Sequence, residues 1–219
     1  MKGFKKDIKM KKIIILQTIL LLISLHTFSQ NKFKGGLIVG INGSQIDGDS
    51  MSGFDKGGLL AGVFIDFPLS AKTYLSMELL YSMKGSKQKD QNSANYIYGP
   101  WYMLRLTYID VPLLLNYKIR EKVMINGGIA CGILVGSKYL DHDRMEEPRF
   151  DAIRAYDFLP VIGLKLQLTK NLYFFSRYSY SAFNIGKDKS NMLWSRTNRG
   201  LHNNVVTGGV RFYINPKNK

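Results

Sequence analysis

Past residue 30 the chain repeats with a period of two, not 3.6. Over residues 75–84, Leu75, Met77, Leu79, Tyr81 and Met83 fall on one face, and Ser76, Glu78, Leu80, Ser82 and Lys84 on the other. Residues 160–168 set Pro160, Ile162, Leu164, Leu166 and Leu168 against Val161, Gly163, Lys165 and Gln167. Near the C-terminus Val206, Gly208, Val210, Phe212 and Ile214 oppose Thr207, Gly209, Arg211 and Tyr213. Such alternation belongs to strands with one strongly apolar face. It predicts strands over 34–42, 57–67, 73–84, 104–118, 122–135, 156–168, 171–183 and 203–214. These make about eight, most of them long enough to cross a bilayer at a tilt, which takes about 9–11 residues.

The connections between these strands alternate in length. Short turns follow the second, fourth and sixth strands, at 68–72, 119–121 and 169–170. Long polar segments follow the first, third, fifth and seventh, at 43–56, 85–103, 136–155 and 184–202. A soluble sandwich has no reason to keep this order. An all-β, antiparallel, up-and-down transmembrane barrel does, because its turns are short on one side of the membrane and its loops long on the other. Aromatic residues bunch at strand ends. Phe33, Phe67, Tyr74, Tyr117, Tyr173, Phe212 and Tyr213 fall toward the turns, and Tyr81, Tyr102, Tyr108, Tyr156, Phe158, Tyr178 and Tyr180 toward the loops. Two interfacial belts are expected from that bunching. A periplasmic lipocalin-like binder would carry polar outward faces, and these are apolar.

The first 29 residues read as an export signal. Lys11-Lys12 precedes an apolar run from Ile13 to Leu25, and Thr27 and Ser29 place small residues before a cut ahead of Gln30. Met1 and Met10 are both open as the start. The expected organisation is a signal peptide over 1–29 and one barrel domain over 30–219. The formal charge is +15. The leader holds six lysines and one acid, Asp7, so +10 stays with the remainder. Those cations are spread along the chain with no Lys/Arg run after residue 12, which argues against nucleic acid as a partner. A single cysteine, Cys131, excludes a disulfide framework; it reads as a small buried or lipid-facing hydrophobe.

Several stretches resemble the PorT-like family of outer-membrane β-barrel domains. They are Gly35-Gly36-Leu37-Ile38-Val39-Gly40, Glu78-Leu79-Leu80-Tyr81 followed by Lys84-Gly85, Tyr108-Ile109-Asp110-Val111-Pro112-Leu113-Leu114-Leu115, and the closing Gly209-Val210-Arg211-Phe212-Tyr213. The resemblance covers the mature chain and implies a barrel of this size in a Gram-negative outer membrane. The family's eponymous member is tied to protein secretion, which implies a role in secretion or cell-surface assembly through the extracellular loops. It brings no catalytic residues.

No enzymatic constellation emerges from the residues themselves. There is no Walker A loop, dinucleotide fingerprint or Gly-x-Ser-x-Gly elbow. Asp141-His142-Asp143 lacks a fourth metal ligand at sensible spacing. Asp47-Gly48-Asp49 opens like a calcium loop, but Gly58 stands where the bidentate Glu should be. No catalytic, cofactor or metal residue is therefore assigned. The alternative class, an outer-membrane enzyme acting on lipid or peptide, would need a nucleophile beside His142 or His202. In phase with the inward face are Glu78, Asp110, Lys165, Arg177 and Arg211. They are expected to form an ion-pair network inside the barrel, with Arg177 and Arg211 reaching Glu78 and Asp110. The remaining partners expected are outer-membrane lipid and secretion-system or envelope proteins. Lipopolysaccharide in particular would meet the basic loop residues Lys84, Lys87, Lys89, Lys187, Lys189, Arg196 and Arg199.

Overall fold

The structure is a computed structural model, and it describes residues 33–49, 53–87, 103–141, 144–146, 152–187 and 200–214. The leader, the last five residues and the larger part of the two long loops at 85–103 and 184–202 lie outside these residues. Nine strands appear in chain order: β1 Lys34–Asp47, β2 Lys56–Pro68, β3 Thr73–Lys87, β4 Met103–Arg120, β5 Val123–Asp141, β6 Arg144–Glu146, β7 Tyr156–Gln167, β8 Leu172–Tyr180 and β9 His202–Ile214. All pair antiparallel with their neighbours. Pairing of β1 with β9 at one seam and of β4 with β5 at the other closes eight of them into a barrel. The ninth, β6, extends the loop end of β5, where Tyr139 pairs with Glu146.

Two features of sequence allow the closure. At the β1–β9 seam Gly40 faces Gly209. A Cβ on Gly209 would lie 2.3 Å from the Val39 carbonyl oxygen and 2.9 Å from the Phe175 ring, so only glycine lets the two backbones approach above that ring. At the short-turn end, two turns use the same hydroxyl device. Ser70 Oγ accepts from the Lys72 and Thr73 amides, and Thr169 Oγ1 accepts from those of Asn171 and Leu172.

The expected strands are all present, with altered ends. β5 runs six residues past 135 because a register shift interrupts the strict alternation: Thr107 pairs with Gly136, but Tyr108 pairs with Leu134. Val135 is the extra residue of a β-bulge, and beyond it the strand resumes with its phase inverted. β8 stops at Tyr180, three residues early. From Ser181 the chain bonds instead to Asn203 and Phe158, and then bends so that Ile185 is buried.

The outward face is a continuous apolar band. Ile41, Leu59, Ile129 and Ile162 are each more than 60% exposed, and Leu37, Leu79, Leu115 and Leu164 about half. No soluble surface carries so wide an apolar belt. On β4 the band runs from Tyr117 to Ile109, nine residues, which is one membrane crossing. Cys131 lies in it, half-buried, opposite Val111. The aromatic belts need correction. Tyr117, Phe212, Tyr156, Phe158 and Tyr178 do face outward. Tyr108 is completely buried, Tyr213 turns inward to bond Asp66, and Tyr74 and Tyr173 line the lumen at the turn end. All four lie in phase with the lumen-facing residues of their strands. Tyr102 lies outside the described residues.

Candidate functional site: a layered lumen

The lumen is filled in layers. Nearest the turns is a charged layer. Arg177 donates to both carboxylate oxygens of Glu78 at 2.6 Å, a bidentate fork that fixes both side chains. The neighbouring strand β9 brings Arg211 to the same carboxylate at 3.6 Å, and Arg211 donates to Asp66 at 3.0 Å. Its guanidinium lies 3.7 Å from the centre of the Phe64 ring, a cation–π contact. Asp66 also accepts from Ser76 and Tyr213. Lys165 completes the layer by donating to Asn116 Oδ1 at 2.6 Å, while Asn116 donates to Ser76. Glu78, Lys165 and Arg211 are essentially inaccessible. With every charge at or beside an opposite charge or a dipole, the layer offsets its desolvation by internal bonding.

Above it lies an apolar layer of Ile38, Leu60, Phe64, Leu80 and Phe175 on one wall and Leu114, Ala130, Leu159 and Val161 on the other. A polar step follows. Lys84 pairs with Asp110 at 2.8 Å, and Asn42 links Ser82 to Thr207. The free space here is about 30 Å³, enough for a water or two but not for a solute. The loop end is capped by Ile46, Leu104, Leu106, Tyr108, Leu134, Ile153, Ile185 and Leu201. Ile153 and Ile185 come from the loops, joined by a bridge between Ile153 and Gly186. Asn184 accepts from the amides of Gly186 and Leu201 and so ties the two arms of one loop together. At the turn end the lumen opens as a vestibule of about 250 Å³, floored by Tyr74, Tyr173, Tyr213 and Asp66 and rimmed by Lys72 and Lys170.

The structure therefore brings Glu78, Arg177 and Arg211 together and places Lys165 in the same layer. Asp110 is separate: it lies higher and pairs with Lys84, not with an arginine. This corrects the placing of Lys84 among the loop cations. It is 3% exposed, inside β3, because it shares the phase of Glu78, Leu80 and Ser82. Lys87, at the end of β3, and Lys187 are exposed. Lys89, Lys189, Arg196 and Arg199 lie outside the described residues. Asp66 is the carboxylate that sequence reading missed. Its signal was there, since it follows Leu60, Gly62 and Phe64 on the inward phase of β2.

Chemistry at the loop end is structural. His202 Nδ1 lies 2.9 Å from the Ser181 carbonyl oxygen, and its ring stacks on Tyr180. The buried Ser181 hydroxyl accepts from the Asn203 amide instead. Asp47 accepts from Gln45 and Asn204. Among the described residues no cluster of three or more metal-ligating side chains occurs.

A closed eight-stranded barrel with an apolar girdle and a packed interior defines an outer-membrane β-barrel. Residues 28–185 match the family described as outer membrane protein beta-barrel domain, and the chain belongs to that family. Its place is the outer membrane. No curated protein matches the chain. Among solved structures it is similar to Ail, the attachment invasion locus protein of Yersinia pestis, at 12% identity and a TM-score of 0.49 over 84% of this chain and 100% of that one. It is also similar to Neisserial surface protein A, at 12% and 0.46 over 82% and 96%. OprG from Pseudomonas aeruginosa aligns at 11% and 0.33 over 84% and 95%.

Proposed function

We propose that this outer-membrane protein is a non-enzymatic member of the PorT-like group that supports protein secretion or cell-surface assembly through its extracellular loops. The observation that carries the reading is the filled lumen. Among the described residues the charged, apolar, polar and capping layers fill the lumen, so the surfaces left for function are the loops and the turn-side vestibule. By the rule for such barrels the short turns face the periplasm and the long loops the outside. The PorT-like assignment is supported by the Tyr108–Leu115 stretch, which supplies the buried Tyr108, Asp110 and Leu114. An enzyme acting on lipid or peptide would need an accessible nucleophile beside a base. His202 is committed to the main chain instead. In this reading the leader is removed ahead of Gln30.

The test is complementation. A chain in which residues 89–101 and 189–198 are replaced by short Gly-Ser turns should still assemble, as shown by heat-modifiable migration on gels. It should fail to restore secretion and surface assembly to cells lacking the protein. Full restoration by the shortened chain would overturn the proposal. Epitope tags near Gln91 or Asn191 should be reached by antibody on intact cells, and a tag at Ser70 only after the outer membrane is opened. The mass of the purified protein should begin at Gln30.

A further inference from the structure

Strands β4 and β5 are longer than a membrane crossing, at 18 and 19 residues. Their turn is short, so the surplus projects at the loop end. On β4 the outward series reads Tyr117, Leu115, Leu113, Val111 and Ile109, then Thr107, then Arg105. On β5 it reads Ile125, Ile129, Ile133 and the bulge residue Val135, then Lys138. Strict alternation would point Lys138 into the lumen and Tyr139 outward. The bulge at Val135 reverses them: Lys138 is exposed and Tyr139 buried. It also sets Lys138 directly opposite Arg105 in the ladder.

Two like charges directly opposite on one sheet face are destabilising. On the other side of Arg105 stands Gly85, which carries no side chain, and Lys87 is the diagonal neighbour beyond it. None of the three cations has a carboxylate within 4.0 Å among the described residues. Arg105 Nε is buried and makes no hydrogen bond. A fourth cation, the buried Lys56, lies within electrostatic range of Arg105 and Lys87. The molecule thus collects positive charge two outward rows beyond its apolar band and uses a bulge to aim part of it outward. Bulges commonly serve to re-aim a side chain.

We propose that Lys87, Arg105 and Lys138 bind the phosphate of a phosphorylated glycolipid of the outer leaflet, whose acyl chains lie on Ile109, Ile133 and Val135 below. The height fits: phosphates sit at the headgroup level, just past the hydrocarbon edge. The chemistry fits as well, since a planar guanidinium and two ammonium groups around one oxyanion form charge-assisted bonds. An anion between Arg105 and Lys138 converts their repulsion into a bridge. This inference goes beyond the role of the loops and depends only on the barrel being in the membrane.

The test uses the full mature protein in detergent, with the thermal midpoint as readout. Bisphosphorylated lipid A should raise the midpoint of the unmodified protein, because a ligand bound to the folded state stabilises it. Dephosphorylated lipid A and inorganic phosphate should not. In R105Q/K138Q the apparent affinity for lipid A should fall about tenfold or more, as loss of charge-assisted bonds to phosphate implies. The turn-end control K72Q/K170Q should keep it. Without lipid, R105Q/K138Q should melt at or above the unmodified protein, since the facing charges are gone. Equal protection of R105Q/K138Q by lipid A would overturn the proposal, and so would a lower lipid-free midpoint. Protection by dephosphorylated lipid A would remove the phosphate from the reading, and protection by inorganic phosphate alone would remove the lipid.

Discussion

At the turn end of the lumen, Arg177, Arg211 and Lys165 meet Glu78 and Asp66; at the loop end, Leu104, Leu106, Leu134 and Ile46 meet Ile153 and Ile185. The two ends differ because their connections differ. A short turn such as Glu121-Lys122 has no side chains to send back into the barrel, so the strands must fill that end themselves. They do so with long side chains that reach across the lumen: Arg177 and Glu78 are 99 residues apart in sequence, and Arg211 and Asp66 are 145 apart. The long loops can fold inward, and Ile153 and Ile185 are what they deliver. One end is therefore cross-linked by ion pairs and the other corked by hydrocarbon.

The comparison breaks most sharply at Glu78. Glu78→Ala leaves Arg177 and Arg211 facing the same space with only Asp66 in reach. Stranding a buried charge costs about 3–5 kcal/mol, and here two arginines lose one carboxylate. Urea unfolding of the barrel in lipid vesicles should show the loss directly. Arg211→Ala should lower the melting temperature more than Arg199→Ala in a loop does. Equal effects would mean that the charged layer is not a structural tie.

The cap should give a smaller effect. Leu106→Ala removes a fully buried side chain from the loop end and should cost about 2–4 kcal/mol, the transfer loss plus the cavity left behind. A change under about 0.5 kcal/mol would mean that the loop arms collapse to fill the space and that the cork is soft. Function offers a third measurement. The unmodified barrel should give no discrete openings in planar bilayers, because about eight strands enclose only enough room for side chains. Arg211→Ala should stay closed too, since the cap is untouched. Reproducible openings from the unmodified protein would break the account of both halves at once.

How far the sequence could be read follows from the same contrast. Membrane-facing residues were legible because lipid tolerates little but hydrocarbon, so Leu75, Met77 and Leu79 announce their face. The inward phase followed, and Glu78, Asp110, Lys165, Arg177 and Arg211 all lie on it. Partnership was not legible. Which inward residues share a layer depends on the stagger between strands, and that stagger lets Asp66 rather than Asp110 meet Arg211. Phase also fails where the ladder is irregular. The Val135 bulge hid the extension of β5 and the outward aim of Lys138. Tyr74, Tyr108, Tyr173 and Tyr213 show a simpler point: they sit near strand ends but on the inward phase, so end position alone does not make a belt residue.

The smallest effect is expected between the two halves, where the ion pair of Lys84 and Asp110 sits in the polar step beside Asn42, Ser82 and Thr207. Lys84 donates to Asp110 and lies 4.8 Å from the Tyr108 ring centre, Asp110 packs over Gly132, and the buried Asp157 nearby feels the two charges with opposite sign, so removing both together changes little at it. A buried pair gains Coulombic energy but bears the desolvation of both ions, and apolar residues of similar volume often do as well or better. Lys84→Met combined with Asp110→Leu should therefore lie within about 1 kcal/mol of the unmodified protein in urea unfolding. Either single change should cost several times more, because it strands the other charge. The resulting double-mutant cycle isolates the coupling between the two side chains. If the double change is as damaging as Glu78→Ala, the loop half depends on its ion pair as the turn half does, and the contrast between a cross-linked end and a corked end does not hold.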